Sequence, residues 1–282
     1  MRRASRIAEV REIVAAVRER GQRVGLVPTM GYLHEGHLQL VDEARRRADL
    51  VVLSIFVNPL QFAPTEDLTR YPRDLAGDAA KAQARGVDLL FVPDGAEIYP
   101  GPPRIVVSPR ALATRWEGAA RPGHFEGVLT VVAKLFNIVQ PHVAVFGQKD
   151  IQQATLVSAM VRDLDVPVEI VVSRTVRESD GLAMSSRNSY LDAASRQRAL
   201  ALSEALRAVQ GAHKAGERSA VRLEAIARAH LAERGIAEVD YVAIADPRTL
   251  EPVASADAGT IVALAARVGS TRLIDNVILD AS

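Results

Sequence analysis

The chain of 282 residues is 48% hydrophobic and 24% charged, ordinary values for a globular protein with room for one large or two ordinary domains. Its net charge of +1 offers no strong field for nucleic acid or an anionic membrane, and no apolar run approaches the ~20 residues that span a bilayer. The absence of cysteine removes disulfides, thiolate nucleophiles and Cys-ligated metals, and fits a cytoplasmic setting.

In chain order, Met1 to Arg20 mixes arginines with Glu9, Glu12 and Glu19 and has no apolar targeting core, so it reads as an amphipathic surface helix. Arg23–Val27 reads as a strand and Leu38–Ala48 as a helix. The junction is Pro28-Thr29-Met30-Gly31-Tyr32-Leu33-His34-Glu35-Gly36-His37. It sets two imidazoles three residues apart in the first turn of a helix, where unpaired N–H groups and the positive dipole end attract anions. Gly31 and Gly36 allow backbone and ligand to approach closely. A nucleotide phosphate site fits this pattern. A metal pair is the competing reading, although zincin helices space their histidines by four and no cysteine is available as a further ligand.

Further strands are expected at Leu50–Val57, Val87–Val92, His142–Phe146 and Val168–Ser173, and helices at Leu75–Arg85, Val128–Val139 and Ile151–Leu164. Near-continuous Val/Ile/Leu strands alternating with helices predict an α/β fold with a doubly wound, Rossmann-like parallel sheet. Ligands of such sheets lie beyond the carboxyl ends of the strands. There the chain places the paired histidines, then Asn58-Pro59-Leu60-Gln61-Phe62, then Gly147-Gln148-Lys149-Asp150. Arg121–Gly127, before an apolar helix, reads either as a flexible lid or as a capped turn.

Only four of the 35 basic residues are lysines, which draws attention to Lys149 as a compact point charge. Its segment is neither a P-loop nor a dinucleotide fingerprint. It is either a capped helix start or a phosphate contact with Gln153 one turn further on. Gln61 and Gln153 are neutral amides suited to a hydroxylated small acid, with Phe62 available for its apolar part.

After about Arg174 the pattern changes. Met184-Ser185-Ser186-Arg187-Asn188 offers hydroxyls and a guanidinium fork suited to polyphosphate. Helices at Ala193–Lys214 and Ala220–Arg234 and strands at Val239–Ile244, Thr260–Ala266 and Arg272–Leu279 then predict a smaller α+β domain. The expected domains are 1–174, binding nucleotide and substrate, and 175–282, a lid.

Together, Pro28–His37, Ser54–Phe62, Tyr71-Pro72-Arg73, Arg121–Val128, Leu135–Pro141, Gly147–Gln153 and Met184–Leu191 closely resemble the pantoate–β-alanine ligase (pantothenate synthetase) family of the paired-histidine nucleotidyltransferases. The resemblance implies condensation of pantoate with β-alanine through a pantoyl adenylate, with release of AMP and pyrophosphate. It implies ATP contacts from Met30, Gly31, Tyr32, Leu33, His34, Glu35, Gly36 and His37, from Gly147, Gln148, Lys149 and Asp150, and from Val176, Met184, Ser185, Ser186 and Arg187. His37, His34 and Lys149 would be catalytic, Gln61 and Gln153 would hold pantoate with Gln61 also near β-alanine, and Asp78 would help hold Mg²⁺. A homodimer is implied. Another small-acid adenylyltransferase and a non-catalytic ATP-binding sensor of the same fold are the alternatives.

Overall fold

The computed structural model describes residues 1–64 and 66–280. They cluster into two compact units. The first comprises Met1–Ala113, Arg121–Gly147 and Leu156–Arg174, and the second Thr114–Ala120, Gln148–Thr155 and Thr175 onward.

The first unit is built on six parallel strands: β1 (Arg2–Ala4), β2 (Val24–Thr29), β3 (Leu50–Ile55), β4 (Leu89–Phe91), β5 (Val143–Gly147) and β6 (Glu169–Ser173). Their order is β1-β4-β3-β2-β5-β6. The chain winds outward from β2 through β3 and β4, then returns to place β5 on the other side of β2. The strand order therefore reverses between β2 and β5, the switch point at which open α/β sheets bind ligands. The helices between them are α1 (Ile7–Glu19), α2 (Glu35–Arg45), α3 (Leu75–Ala84), α4 (Gly95–Ile98), α5 (Trp116–Ala120), which belongs to the second unit, α6 (His124–Val139) and α7 (Ile151–Asp163). Val27, Val51, Leu53, Leu90, Val143 and Val145 are fully buried with Leu40, Val41 and Ala44 of α2, which is why these strands read as unbroken apolar runs.

The expected five core strands are all present within two residues of their anticipated ends. The sixth, β1, corrects the reading of Met1 to Arg20 as helix throughout. Arg2–Ala4 pairs in parallel with Leu89–Phe91 at the sheet edge, and the helix begins only at Ile7. A three-residue edge strand with one buried side chain leaves no periodicity to detect.

Arg121–Gly127 is an anchored turn rather than a lid. The His124 ring lies 2.8 Å from the Gln61 carbonyl, and Arg121 donates to that oxygen and pairs with Glu66. Gly127 makes the approach possible, because a Cβ there would sit 2.3 Å from the Leu60 carbonyl oxygen.

The second unit carries an antiparallel sheet, β7 (Val239–Ala245), β8 (Ile261–Val268) and β9 (Thr271–Ile278), with β8 central. Helices α8 (Ala193–Lys214) and α9 (Ala220–Glu233) cover it, burying Leu202, Leu206, Leu223 and Leu231 with Val262 and Leu264. Asp192 caps α8 by accepting from the Ser195 N–H at 2.7 Å. Two segments earlier in the chain join this unit through specific contacts. Arg272 forks onto the Glu117 carboxylate, with both bonds at 2.6 Å, and Trp116 stacks on Tyr241. Asn276 donates to the carbonyls of Gln148 and Lys149.

Gly127→Ala is expected to cost about 1–3 kcal/mol, the usual range for forcing atoms into a packed contact. Urea denaturation of the variant should show a lower midpoint at an unchanged slope.

Candidate active site

In the first unit, the site is built on the turn that joins β2 to α2. Gly31 has φ +84° and Tyr32 φ +52°, so two successive residues occupy the left-handed region. Tyr32 carries a steric penalty there that glycine does not. The turn is held by Asp78 of α3, whose side chain is 1% exposed. Its two carboxylate oxygens accept from the backbone N–H groups of Tyr32 at 2.7 Å and Leu33 at 2.6 Å. One helical turn later, Lys81 donates to the Leu33 carbonyl at 2.8 Å. Asp78 thus acts on the turn itself, and both of the oxygens that the resemblance assigns to Mg²⁺ accept a backbone N–H. Among the described residues no group of three or more His, Asp or Glu side chains is arranged to hold a metal ion.

This turn delivers His34 to the N-cap of α2 and His37 to its third helical position. The rings lie 4.0 Å apart between centroids, and both residues are half-buried. The His34 N–H points to Nδ1 of His37 at 3.4 Å. A His37 Nδ1 that accepts leaves the proton of the neutral ring on Nε2, so the ring presents a donor on its far side. A donor at a helix N-terminus is suited to an anionic oxygen.

Gln61 follows β3 in a short 3-10 turn, Pro59–Gln61, and is buried. Both ends of its amide are oriented. Nε2 faces the Met30 sulfur at 3.2 Å and Oε1 accepts from Asn58 Nδ2 at 3.2 Å. Asn58 is 1% exposed, also donates to the Gly127 carbonyl at 3.0 Å, and accepts at Oδ1 from the Tyr99 hydroxyl at 3.0 Å. Burial pushes the Tyr99 phenol up to about 12, so it serves as a neutral donor. Behind Gln61, the His124 contact to its carbonyl requires a proton on Nδ1, which leaves Nε2 to accept from Arg121 at 3.0 Å. Burial alone would raise the Glu66 carboxyl, but the hydrogen bonds and charge of Arg121 outweigh it and hold the group below its ordinary range.

In the second unit, Gln148–Asp150 form a 3-10 turn leading into α7. Lys149 is mostly shielded and lies 3.8 Å from a carboxylate oxygen of Asp150. Gln153 is half-buried on α7, whereas its neighbour Gln152 is occupied internally, accepting from the Glu117 N–H and donating to the Arg115 carbonyl. Val176 and Met184 are brought together, because the Met184 N–H donates to the Val176 carbonyl at 2.9 Å across a small hairpin that turns at Gly181, φ +97°. Ser185 caps the 3-10 turn Ser186–Tyr190 through the Arg187 N–H at 3.2 Å, and Asn188 fastens it to Glu178 and the Ala183 carbonyl.

Sequence reasoning missed Asn58, the Arg121–Glu66–His124 support and Asp275–Asn276. Asn58 stood inside a motif already singled out. Arg121 and His124 also stood inside a segment already singled out, whereas Glu66 and Asp275–Asn276 carry no local signal, because their partners lie tens to more than a hundred residues away along the chain.

The profile of the pantoate–β-alanine ligase family matches residues 2–278. The chain belongs to this family. It is 52% identical over 274 residues to the pantothenate synthetase of Moorella thermoacetica, covering 97% of each chain. The crystal structure of pantothenate synthetase from Thermus thermophilus superposes with a TM-score of 0.94 at 48% identity, covering 99% of this chain and 100% of that one. A pantoate–β-alanine ligase from Francisella tularensis, complexed with beta-gamma ATP and β-alanine, gives a TM-score of 0.81 at 33% identity, covering 99% and 97%. The family thus accounts for the six-stranded parallel sheet and the small antiparallel sheet alike.

Asp78→Asn replaces one of two acceptors with a donor facing an N–H, which should cost about 1–3 kcal/mol. Amide exchange at Tyr32 and Leu33 should accelerate well beyond that of the core strands, as read by hydrogen–deuterium exchange. For Glu66 the folded pKa is depressed, so the stability it contributes is present above the unfolded value of 4.5 and is lost as pH falls through the lower folded value. Wild type should therefore exceed Glu66→Gln in urea midpoint near neutral pH, with the difference closing as pH drops below about 4.5.

Proposed function

We propose that the chain condenses pantoate with β-alanine in two steps driven by ATP. A pantoate carboxylate oxygen attacks the α-phosphorus as the bond to the bridging β-phosphate oxygen breaks, giving pantoyl adenylate and pyrophosphate. The neutral amine of β-alanine then attacks the acyl carbon, the acyl–oxygen bond breaks to release AMP, and the amine loses a proton to give the amide. The paired histidines at the N-terminus of α2 carry this reading, supported by the family match and by the ATP-type ligand and β-alanine of the Francisella relative.

Attack of one anion on another requires donors that offset charge as it builds on the phosphate oxygens. His37 supplies its Nε2–H, with His34 and the first N–H groups of α2 beside it. Met30 to Gly36 provide the close backbone of the ATP contact. Gly147, Gln148, Lys149, Asp150, Val176 and Met184 to Arg187 are the further ATP contacts in this reading, with Lys149 and Arg187 as its cations. Gln61, oriented at both ends, and Gln153 hold pantoate. Neither step calls for a covalent nucleophile, in keeping with a chain that has no cysteine. Asp78, whose oxygens accept the Tyr32 and Leu33 N–H groups, is the residue of this reading that would help hold Mg²⁺, and no step is routed through the ion. The ion belongs to the proposal as a companion of the ATP phosphates.

Closure of the C-terminal domain as a lid, a homodimer and a cytoplasmic location, with no nucleic-acid or membrane partner, belong to the same reading. Among the described residues no helix is long and apolar enough to cross a membrane.

ATP–pyrophosphate exchange should depend on pantoate and not on related hydroxy acids, and AMP should form only when β-alanine completes the mixture. Exchange driven equally well by another acid would overturn the substrate assignment. His37→Ala should lower the exchange rate by about 10²-fold or more with an unchanged melting temperature.

A further inference from the structure

The mechanism leaves one buried polar pair of the second unit without a task, Asp275–Asn276 on β9. Asn276 is 1% exposed, and its carboxamide is engaged by a single turn. Nδ2 donates to the carbonyls of Gln148 and Lys149, both at 2.9 Å, while Oδ1 accepts from Gln148 Nε2 at 3.2 Å. Two consecutive carbonyls require two donors on one rigid plane. Asparagine supplies that at this reach, whereas aspartate has no donor and serine has one.

Asp275, 3% exposed, does the equivalent for a second segment. Its oxygens accept from Arg177 Nη1 at 2.6 Å and Nη2 at 3.0 Å, a forked pair, and Arg177 also donates to the Gly181 carbonyl at 3.2 Å. Arg177 sits next to Val176 in the hairpin whose strands meet at Met184. Two adjacent side chains of one strand therefore hold the Lys149 turn and the Val176–Met184 hairpin in register.

We propose that Asn276 is a positioning residue for ATP, acting through Lys149. It rests on the reading of Lys149 as a phosphate-binding cation. A lysine is a point charge on a long flexible stem, so the direction in which its backbone launches it decides whether the ammonium meets phosphate without further ordering cost. Asn276 sets that direction by clamping the carbonyls on both sides of the Lys149 backbone N–H. It touches no substrate atom in this assignment.

The test is a double-mutant cycle read by pantoate-dependent ATP–pyrophosphate exchange on the full chain. Asn276→Ala should raise the KM for ATP and lower the exchange rate, together by about tenfold or more, and leave the KM for pantoate within about twofold. Lys149→Ala should be worse, and adding Asn276→Ala to it should change exchange by less than about twofold, because the clamp then has nothing to aim. If Asn276→Ala fails to fold, Asn276→Ser carries the same cycle. An Asn276 variant with wild-type ATP kinetics, or one whose loss multiplies in full onto Lys149→Ala, overturns the inference. A Lys149→Ala enzyme with wild-type ATP kinetics overturns the reading of Lys149 beneath it, which separates the two failures.

Discussion

A buried carboxylate holds the turn on which the paired histidines stand. Asp78 directs its charge at two consecutive backbone N–H groups, and that pairing stabilises a left-handed Tyr32 which the Ramachandran surface disfavours. Everything downstream depends on this. The chain leaves β2 inside a parallel sheet and must reverse within a few residues to start α2 with His34 at its cap. Without the constraint, imidazoles three residues apart would still share a helix face, but the helix N-terminus would not be fixed relative to the carboxyl end of β2. The placement of the paired histidines is the product of strand end, strained turn and helix start together.

The same logic recurs around the site, with neutral groups where charge is not wanted. Gln61 is fixed by Asn58 and Met30, and Asn58 in turn by Tyr99 and the Gly127 carbonyl, so the chain of hydrogen bonds ends in the half-buried Tyr99 and Met30 and the buried Gly127. In the proposed reading such amides recognise the hydroxyl and carboxylate oxygens of a small acid without adding charge. The full charges, Glu66 and Arg121, are kept one step back and paired with each other, where they steady the backbone of Gln61.

Much of this was legible in the sequence, for identifiable reasons. Strands β2 to β5 are mostly buried, so burial writes near-continuous apolar runs, and the helices between them keep their period. The paired histidines and Gln61 could be expected beyond the carboxyl ends of β2 and β3 because parallel strands put every following turn on the same side of the sheet. The short edge strand β1 escaped notice because only Ala4 of its three residues is buried. Asp78 drew attention through the resemblance, as a metal ligand. Its engagement with two amides 45 and 46 residues away in sequence is a property of packing that no local pattern encodes.

The long-range contacts also explain why residues far apart in sequence must be considered as one element. The turn bearing Lys149 is a single 3-10 turn, too short to define its own direction. A helix start normally fixes its orientation through capping side chains of its own segment. Here two carbonyls of the turn are satisfied instead by Asn276, more than 120 residues downstream. The cation is thereby tied to the antiparallel sheet through β9, and not only to α7, which it precedes in the chain. A segment that is one motif in the sequence is therefore held by two kinds of scaffold. Gly147 belongs to the end of a parallel strand, and Lys149 to a turn whose geometry is dictated by the last strand of the fold.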